Sequence, residues 1–256
     1  MADFDEGLIA YDQHDYVSAL REFRVIAING HANAQAILGM MYAAGQGVDK
    51  DYKEAVKWYR KAADQGHAYG QGLLAEACEK GLGTAQDYKE AVKWYRKAAD
   101  QGNADAQNNL GVKYDKGRGV PQDYKEAVKW YRLAADQGNA DAQNNLGDMY
   151  VEGKGVAQDY KMAVKWFLLS ADQGQANAQS NLGTSYAKGQ GVPQNTVVAY
   201  ALFNLSAAND PSSNNKAMAY RAILAEHINN NDIEAAQLIT RELVKSGIAQ
   251  TLRKIR

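Results

Sequence analysis

One cysteine, Cys78, has no partner for an internal disulfide, so no covalent framework of that kind holds this chain together. Proline is almost as scarce: Pro121, Pro193 and Pro211 are the only three, which leaves long stretches free to be helical. No apolar run approaches the ~20 residues that a membrane-spanning helix needs. Neither sign of charge prevails. With 29 basic and 30 acidic residues the net charge is −1, so no global field draws the chain to nucleic acid or to an anionic membrane. The first residues, MADFDEG, carry neither the basic stretch nor the apolar core of a secretory leader. As written they point to the cytoplasm. A mature periplasmic or secreted chain, its leader removed and Met1 added, is the other reading, and a lone cysteine fits both.

What is abundant is apolar residues, 46 % of 256, enough to bury a core in one or two domains and to exclude disorder. They are arranged periodically. Trp58, Trp94, Trp130 and Trp166 recur every 36 residues, and Tyr16, Tyr52, Tyr88, Tyr124 and Tyr160 keep the same step. So do Gly30, Gly66, Gly102, Gly138 and Gly174, and the leucines 38, 74, 110, 146 and 182.

Each unit reads as two helices. Tyr52, Ala55, Val56, Tyr59, Ala62 and Ala63 fall on one helical face. Asp51 precedes that helix with Glu54 three residues on, a capping-box pattern repeated by Asp87/Glu90 and Asp123/Glu126. Gly66 and its equivalents stand where a left-handed C′ residue is wanted. A second helix, from about Ala104 to Lys116, ends at a G-x-G step that leads to the next capping aspartate. Gly39, Gly111, Gly147 and Gly183 lie inside these second helices, each at a cost of about 1 kcal/mol against alanine. Accepting that cost in four units implies close backbone approach to the aromatic pair of a neighbouring unit. One hairpin cannot bury both faces, so the units must stack.

The pattern A-x-A-Q-x-x-L-G-x-x-Y followed by G-x-G-V-x-x-D-Y-x-x-A-V-x-W-Y-x-x-A-A-x-Q-G resembles the Sel-one-like repeat, a bacterial-type relative of the tetratricopeptide repeat. The likeness covers about residues 29–208 as five units. Residues 1–28 resemble tetratricopeptide-like capping helices, and 209–256 the closing helices of bacterial members. The resemblance implies an all-α, right-handed α/α superhelix that assembles other proteins: a non-catalytic scaffold or adaptor. A cysteine-rich subgroup, exported to the envelope or to host contact, is credited with β-lactam binding. This chain lacks the disulfide staples of that subgroup, which stands as the alternative.

Nothing in the residues looks catalytic. His31 and His67 share a register in adjacent units, roughly 10 Å apart by usual helix spacing, too far to share a metal bound at about 2 Å. The sequence contains no H-E-x-x-H, G-x-S-x-G or P-loop. No cofactor or metal is expected. Cys78 occupies a tyrosine register and reads as a small buried hydrophobe. Carboxylates recur as helix caps and as Arg60/Asp64, Arg96/Asp100 and Arg132/Asp136 pairs. The lysine combs Lys53/Lys57/Lys61, Lys89/Lys93/Lys97 and Lys125/Lys129 are interleaved with glutamates and read as a solvated face. Leu133, Leu168 and Leu169 interrupt that face, which predicts cover there, preferably by the C-terminal helices.

If the second helices line an inner groove, its registers hold Asn108, Asn109 and Val112, then Asn144, Asn145 and Asp148, then Asn181 and Thr184. In the first two units the same registers hold Ile37 and Met40, then Leu73. Asparagine both donates to and accepts from a peptide backbone. The resemblance singles out Asn109, whose register often contacts ligand backbone in tetratricopeptide proteins. The expected partner is a protein or extended peptide, with no nucleic acid and no membrane span, and with self-association open. Specificity is expected in the divergent ends and at Ile37, Met40 and Leu73, because near-identical units carry little distinct information.

Overall fold

The computed structural model describes residues 3–212 and 216–255. The described residues form fifteen helices and no strand, the all-α repeat architecture expected. They fall into two compact units, Met1–Asp123 and Tyr124–Arg256. The first holds α1 (Phe4–Asp12), α2 (Tyr16–Ile28), α3 (Ala32–Ala44), α4 (Tyr52–Asp64), α5 (Ala68–Lys80), α6 (Tyr88–Asp100) and α7 (Ala104–Lys116). The second holds α8 (Tyr124–Asp136), α9 (Ala140–Glu152), α10 (Tyr160–Asp172), α11 (Ala176–Lys188) and α12 (Thr196–Asn209), closed by α13 (Ala217–Ala225), α14 (Asn230–Ser246) and α15 (Ile248–Lys254). Within each unit successive repeat helices pack against one another, while α13 and α14 both pack on α12, and α15 on α14 and α10.

Local chemistry sets each helix end. The Asp51 carboxylate accepts from the Lys53 and Glu54 amides, and Asp87 and Asp159 repeat the cap. The reciprocal half of the predicted capping box is absent. The Asp51 and Asp87 amides donate instead to the carbonyls of Tyr42 and Cys78 at the end of the preceding helix. That frees the glutamates: Glu90 and Glu126 accept from the indoles of Trp94 and Trp130 at 2.6 and 3.2 Å. Gly66 adopts φ +84°, as a C′ glycine should. At the G-x-G step, a Cβ on Gly83 would run into the Tyr52 carbonyl.

The core of each unit is alanine, leucine and the aromatic pairs, with Leu38, Leu74, Leu110, Leu146 and Leu182 fully buried. The helix glycines serve the expected close approach. A Cβ at Gly39 would come within 2.6 Å of the Tyr59 ring, and one at Gly147 within 2.5 Å of Phe167. The glutamine of A-x-A-Q is buried, yet its amide is satisfied: Gln35, Gln71, Gln107, Gln143 and Gln179 donate to Ala27, Ala63, Ala99, Ala135 and Ala171. A buried amide costs free energy unless bonded, and each such bond contributes about 1 kcal/mol net.

Two expectations are corrected. No ion pair joins Arg96 to Asp100 or Arg132 to Asp136 among the described residues; these arginines reach across the hairpin to the hydroxyls of Tyr114 and Tyr150, as Arg24 does to Tyr42. A guanidinium gains more from a half-buried hydroxyl than from a solvated carboxylate one turn away. The C-terminal cover also reaches only part of the predicted leucines. α15 lies on α10, held by the Asp172 carboxylate accepting from the Ile248 and Ala249 amides, and Leu168 faces Ala249 and Leu252. Leu133 and Leu169 stay 43 % and 42 % exposed.

Candidate functional site

The second helices of the hairpins, α3, α5 and α7 in the first unit and α9 and α11 in the second, carry the residues predicted to bind. Their burial divides them. Asn108 and Asn144 are only 8 % and 6 % exposed. The Asn144 amide donates to Asp148, and the Asn181 amide donates to both Asn144 and Asp148 at 3.0 Å, so these three form one polar cluster between α9 and α11. Thr184 donates to the Ser180 carbonyl within its own helix. Asn109, Val112 and Asn145, one position on, are half-buried, which leaves part of each side chain in solvent. Asn109 makes no hydrogen bond through its amide among the described residues.

The apolar residues of the first two hairpins divide too. Ile37 packs against the N-terminal core around Phe23 and Leu38. Met40 and Leu73 instead face each other across a cleft of about 390 Å³ between α3, α4 and α5. Val56, Tyr59 and Leu82 complete its apolar walls, Ala43 and Ala77 lie within it, and Glu76 and Lys80 stand at one side. The latter two form an ion pair with each other, so they cancel. Tyr59 is 6 % exposed as a residue, and its hydroxyl, which opens onto the cleft, has no protein hydrogen-bond partner among the described residues. Burial is the main reason its pKa lies well above the ordinary tyrosine value, so the group is a proton donor.

One hairpin further on, the corresponding space is filled. Lys113, 2 % exposed, inserts its ammonium to pair with Glu79, whose other carboxylate oxygen accepts from Tyr95 at 3.0 Å. Sequence reasoning missed this pair. Its signal was available: where the other units have Met41, Ala77, Met149 and Ser185, lysine stands alone, and an acid appears at 79 where the first unit has Ala43.

The remaining titratable groups serve the fold. His31 and His67 cap α3 and α5, their Nδ1 atoms accepting from the Ala34 and Gly70 amides. Burial, aided by the His31 charge, lowers the His67 pKa. Cys78 is buried, and desolvation raises its thiol pKa away from the reactive range. Lys57 and Lys93 pair with Glu54 and Glu90, while Lys61 and Lys97 lie over the rings of Trp58 and Trp94. No group of metal-ligating side chains occurs among the described residues. The site offers shape, apolar surface and hydrogen bonds.

Comparison with family models finds the Sel1 repeat at residues 32–67, 68–103, 104–139, 140–175 and 176–211. Among solved structures, the chain is similar to a Sel1 repeat protein from Oxalobacter formigenes, at 34 % identity and a TM-score of 0.82, covering 93 % of this chain and 95 % of that one. It shares its fold with a Sel1 repeat protein from Klebsiella pneumoniae, at 22 % identity and TM-score 0.52 over 80 % of this chain and 98 % of that one. The immunity protein Pa5087 from Pseudomonas aeruginosa is similar in fold at 21 % identity and TM-score 0.50, covering 77 % and 76 % of the two chains. The comparison with curated proteins found no match.

Proposed function

We propose a function from one premise: the chain belongs to the Sel1 repeat family. Proteins built of Sel1 repeats are in general protein-interaction scaffolds. This chain, in the proposal, holds a partner protein or an extended peptide along the second helices of its hairpins and performs no chemistry on it. The observation that carries the reading is that the repeat breaks on those helices at solvent-reaching positions. Leu73, which lines the cleft beside Tyr59, gives way to Asn109 and Asn145. Residues that only hold the stack, such as the glutamine ladder and the buried leucines, do not vary.

Affinity in such a groove comes from backbone hydrogen bonds along its length, with a few anchors setting preference. Asn109 and Asn145 are the hydrogen-bonding groups best placed for this, because Asn108 and Asn144 are turned inward. The test is the pair of substitutions Asn109→Ala and Asn145→Ala in one chain, titrated with peptides selected from a displayed random library. Weaker binding by about fivefold or more with an unchanged melting temperature supports the reading; equal loss of both makes the asparagines structural. Cys78, single and buried, lends nothing to the β-lactam-binding alternative. Nitrocefin turnover by the purified chain, abolished by a point substitution, would establish that alternative instead.

A further inference from the structure

We infer that the cleft between α3, α4 and α5 takes an uncharged, apolar peptide segment, one of whose carbonyl oxygens accepts a hydrogen bond from Tyr59. The inference rests on the protein-binding reading and specifies what the scaffold selects.

The first argument is a rule that the chain keeps everywhere else. At the register of Tyr59 stand Phe23, Tyr95, Tyr131, Phe167 and Phe203. Sixteen residues before them stand Gly7, Glu79, Asp115, Val151 and Ala187 respectively. Tyrosine follows an acid, and phenylalanine follows a residue with no side-chain acceptor. The fold supplies the reason in the first unit, where the Tyr95 hydroxyl donates to Glu79 at 3.0 Å. Tyr59 alone breaks the rule, for it follows Ala43. The Tyr59 ring is buried while its hydroxyl opens onto the cleft, whereas phenylalanine at this register in three other hairpins presents no donor at all. A tyrosine kept here, its hydroxyl facing a cleft, is a donor without a protein acceptor among the described residues.

The second argument is that the space and the missing acceptor arise together. Ala43 and Ala77 stand where the next hairpin has Glu79 and Lys113. That substitution removes the acceptor of the tyrosine and the side chain that would fill the gap, leaving about 390 Å³, within the range of small-ligand sites.

The third argument decides the chemistry of the occupant. The walls are Met40, Val56, Leu73 and Leu82, and the one charged pair there, Glu76 with Lys80, is self-compensated. A carboxylate placed against Tyr59 would lack the cation that Lys113 provides to Glu79, and an unpaired buried ion is strongly disfavoured. A neutral acceptor carries no such penalty. A main-chain carbonyl flanked by an apolar side chain satisfies the hydroxyl and fills the walls, and Met40 is flexible enough to adapt to several such side chains.

The experiment transplants the neighbouring hairpin's solution. In the variant Ala43→Glu with Ala77→Lys, the cleft should fill and Tyr59 should gain its acceptor. Peptides are selected from a phage-displayed random library on the full wild-type chain, synthesised, and titrated by fluorescence anisotropy. The expected result is an enriched apolar, uncharged core that binds the double variant at least about tenfold more weakly, with melting temperature held or raised. Tyr59→Phe should bind about fivefold more weakly. Should the double variant fail to fold, Leu73→Asn, the residue one repeat on, reports on the same wall. Equal binding to wild type and double variant, or an enriched acidic core, overturns the inference. If those same peptides are lost on Asn109→Ala with Asn145→Ala, the scaffold reading survives its failure. A library that enriches nothing overturns both. Dimerisation of the chain that the double variant abolishes would assign the cleft to a second copy and overturn the inference alone.

Discussion

Replacing Glu79 by alanine tests whether the buried Lys113 is held by charge. The Lys113 side chain is 3 % exposed and that of Glu79 is 21 % exposed, and both the ammonium and the Tyr95 hydroxyl donate to that carboxylate. Removing one partner of a buried pair costs about 3–5 kcal/mol. The partial exposure of Glu79 admits water to the vacated site, which places the expected loss near about 3 kcal/mol. For a chain of this size that lowers the melting temperature by about 6–12 °C. Lys113→Met should behave differently. Methionine already fills this register as Met41 and Met149, and the abandoned Glu79 can reach solvent, so the loss should stay within about 1 kcal/mol. Glu79→Ala with Lys113→Met leaves no buried charge, and should recover about 2 kcal/mol of the single-variant loss. Equilibrium urea unfolding of all four proteins closes the cycle. A small loss for Glu79→Ala, or a double variant as unstable as the sum of the singles, would refute the account of Lys113.

Three further outcomes are expected. The Trp166 indole is buried without a partner, and Met162 stands where Glu90 and Glu126 serve the equivalent tryptophans. The Trp58 indole is unpartnered too, its Glu54 being drawn to Lys57. Met162→Glu should stabilise the chain by about 1 kcal/mol in thermal melts only if the new carboxylate turns to the indole, which a Lys165→Ala background favours. The His67 cap accepts a hydrogen bond only when neutral, and its folded pKa lies below the ordinary 6.5. The unfolded chain therefore takes up the proton more readily. Its contribution to stability is whole above the ordinary value and declines as the pH falls through the lowered one, and His67→Asn, copying Asn103, should flatten the melting temperature between those limits. Gly72→Ala should stabilise by about 1 kcal/mol, since a Cβ there meets nothing within 4 Å, whereas Gly147→Ala should cost about 1–3 kcal/mol against the Phe167 ring. Similar signs for the two glycines in parallel melts would contradict the packing described.

Much of this molecule was legible because the repeat is written in residues whose roles are local. Asp51 as a cap, Gly66 as a left-handed stop and the helical face of Tyr52 to Ala63 need no information beyond a few neighbours along the chain. The helix glycines were legible one step further, since four repetitions of a costly residue imply a close neighbour. Failures began where a side chain could choose between a partner on its own helix and one on the next. Arg96 and Arg132 were assigned to aspartates one turn away and bind tyrosines eighteen residues on. Glu90 was assigned to a backbone amide and bonds an indole. On the second helices, the registers expected to line a groove are read from the sequence as a set, but which asparagine of each pair reaches solvent is not.

The 36-residue period, the hairpin, its caps and its stops, and the absence of disulfide staples were determined by the sequence alone, because each follows from composition or from contacts within a turn or two of helix. The tertiary structure decided that Asn109 stays partly in solvent and Asn144 is buried, that Lys113 lies inside, and that an alanine pair opens a cleft beside an unbonded Tyr59. Those outcomes depend on distances between helices more than thirty residues apart along the chain, where a few tenths of an ångström separate a filled gap from an open one.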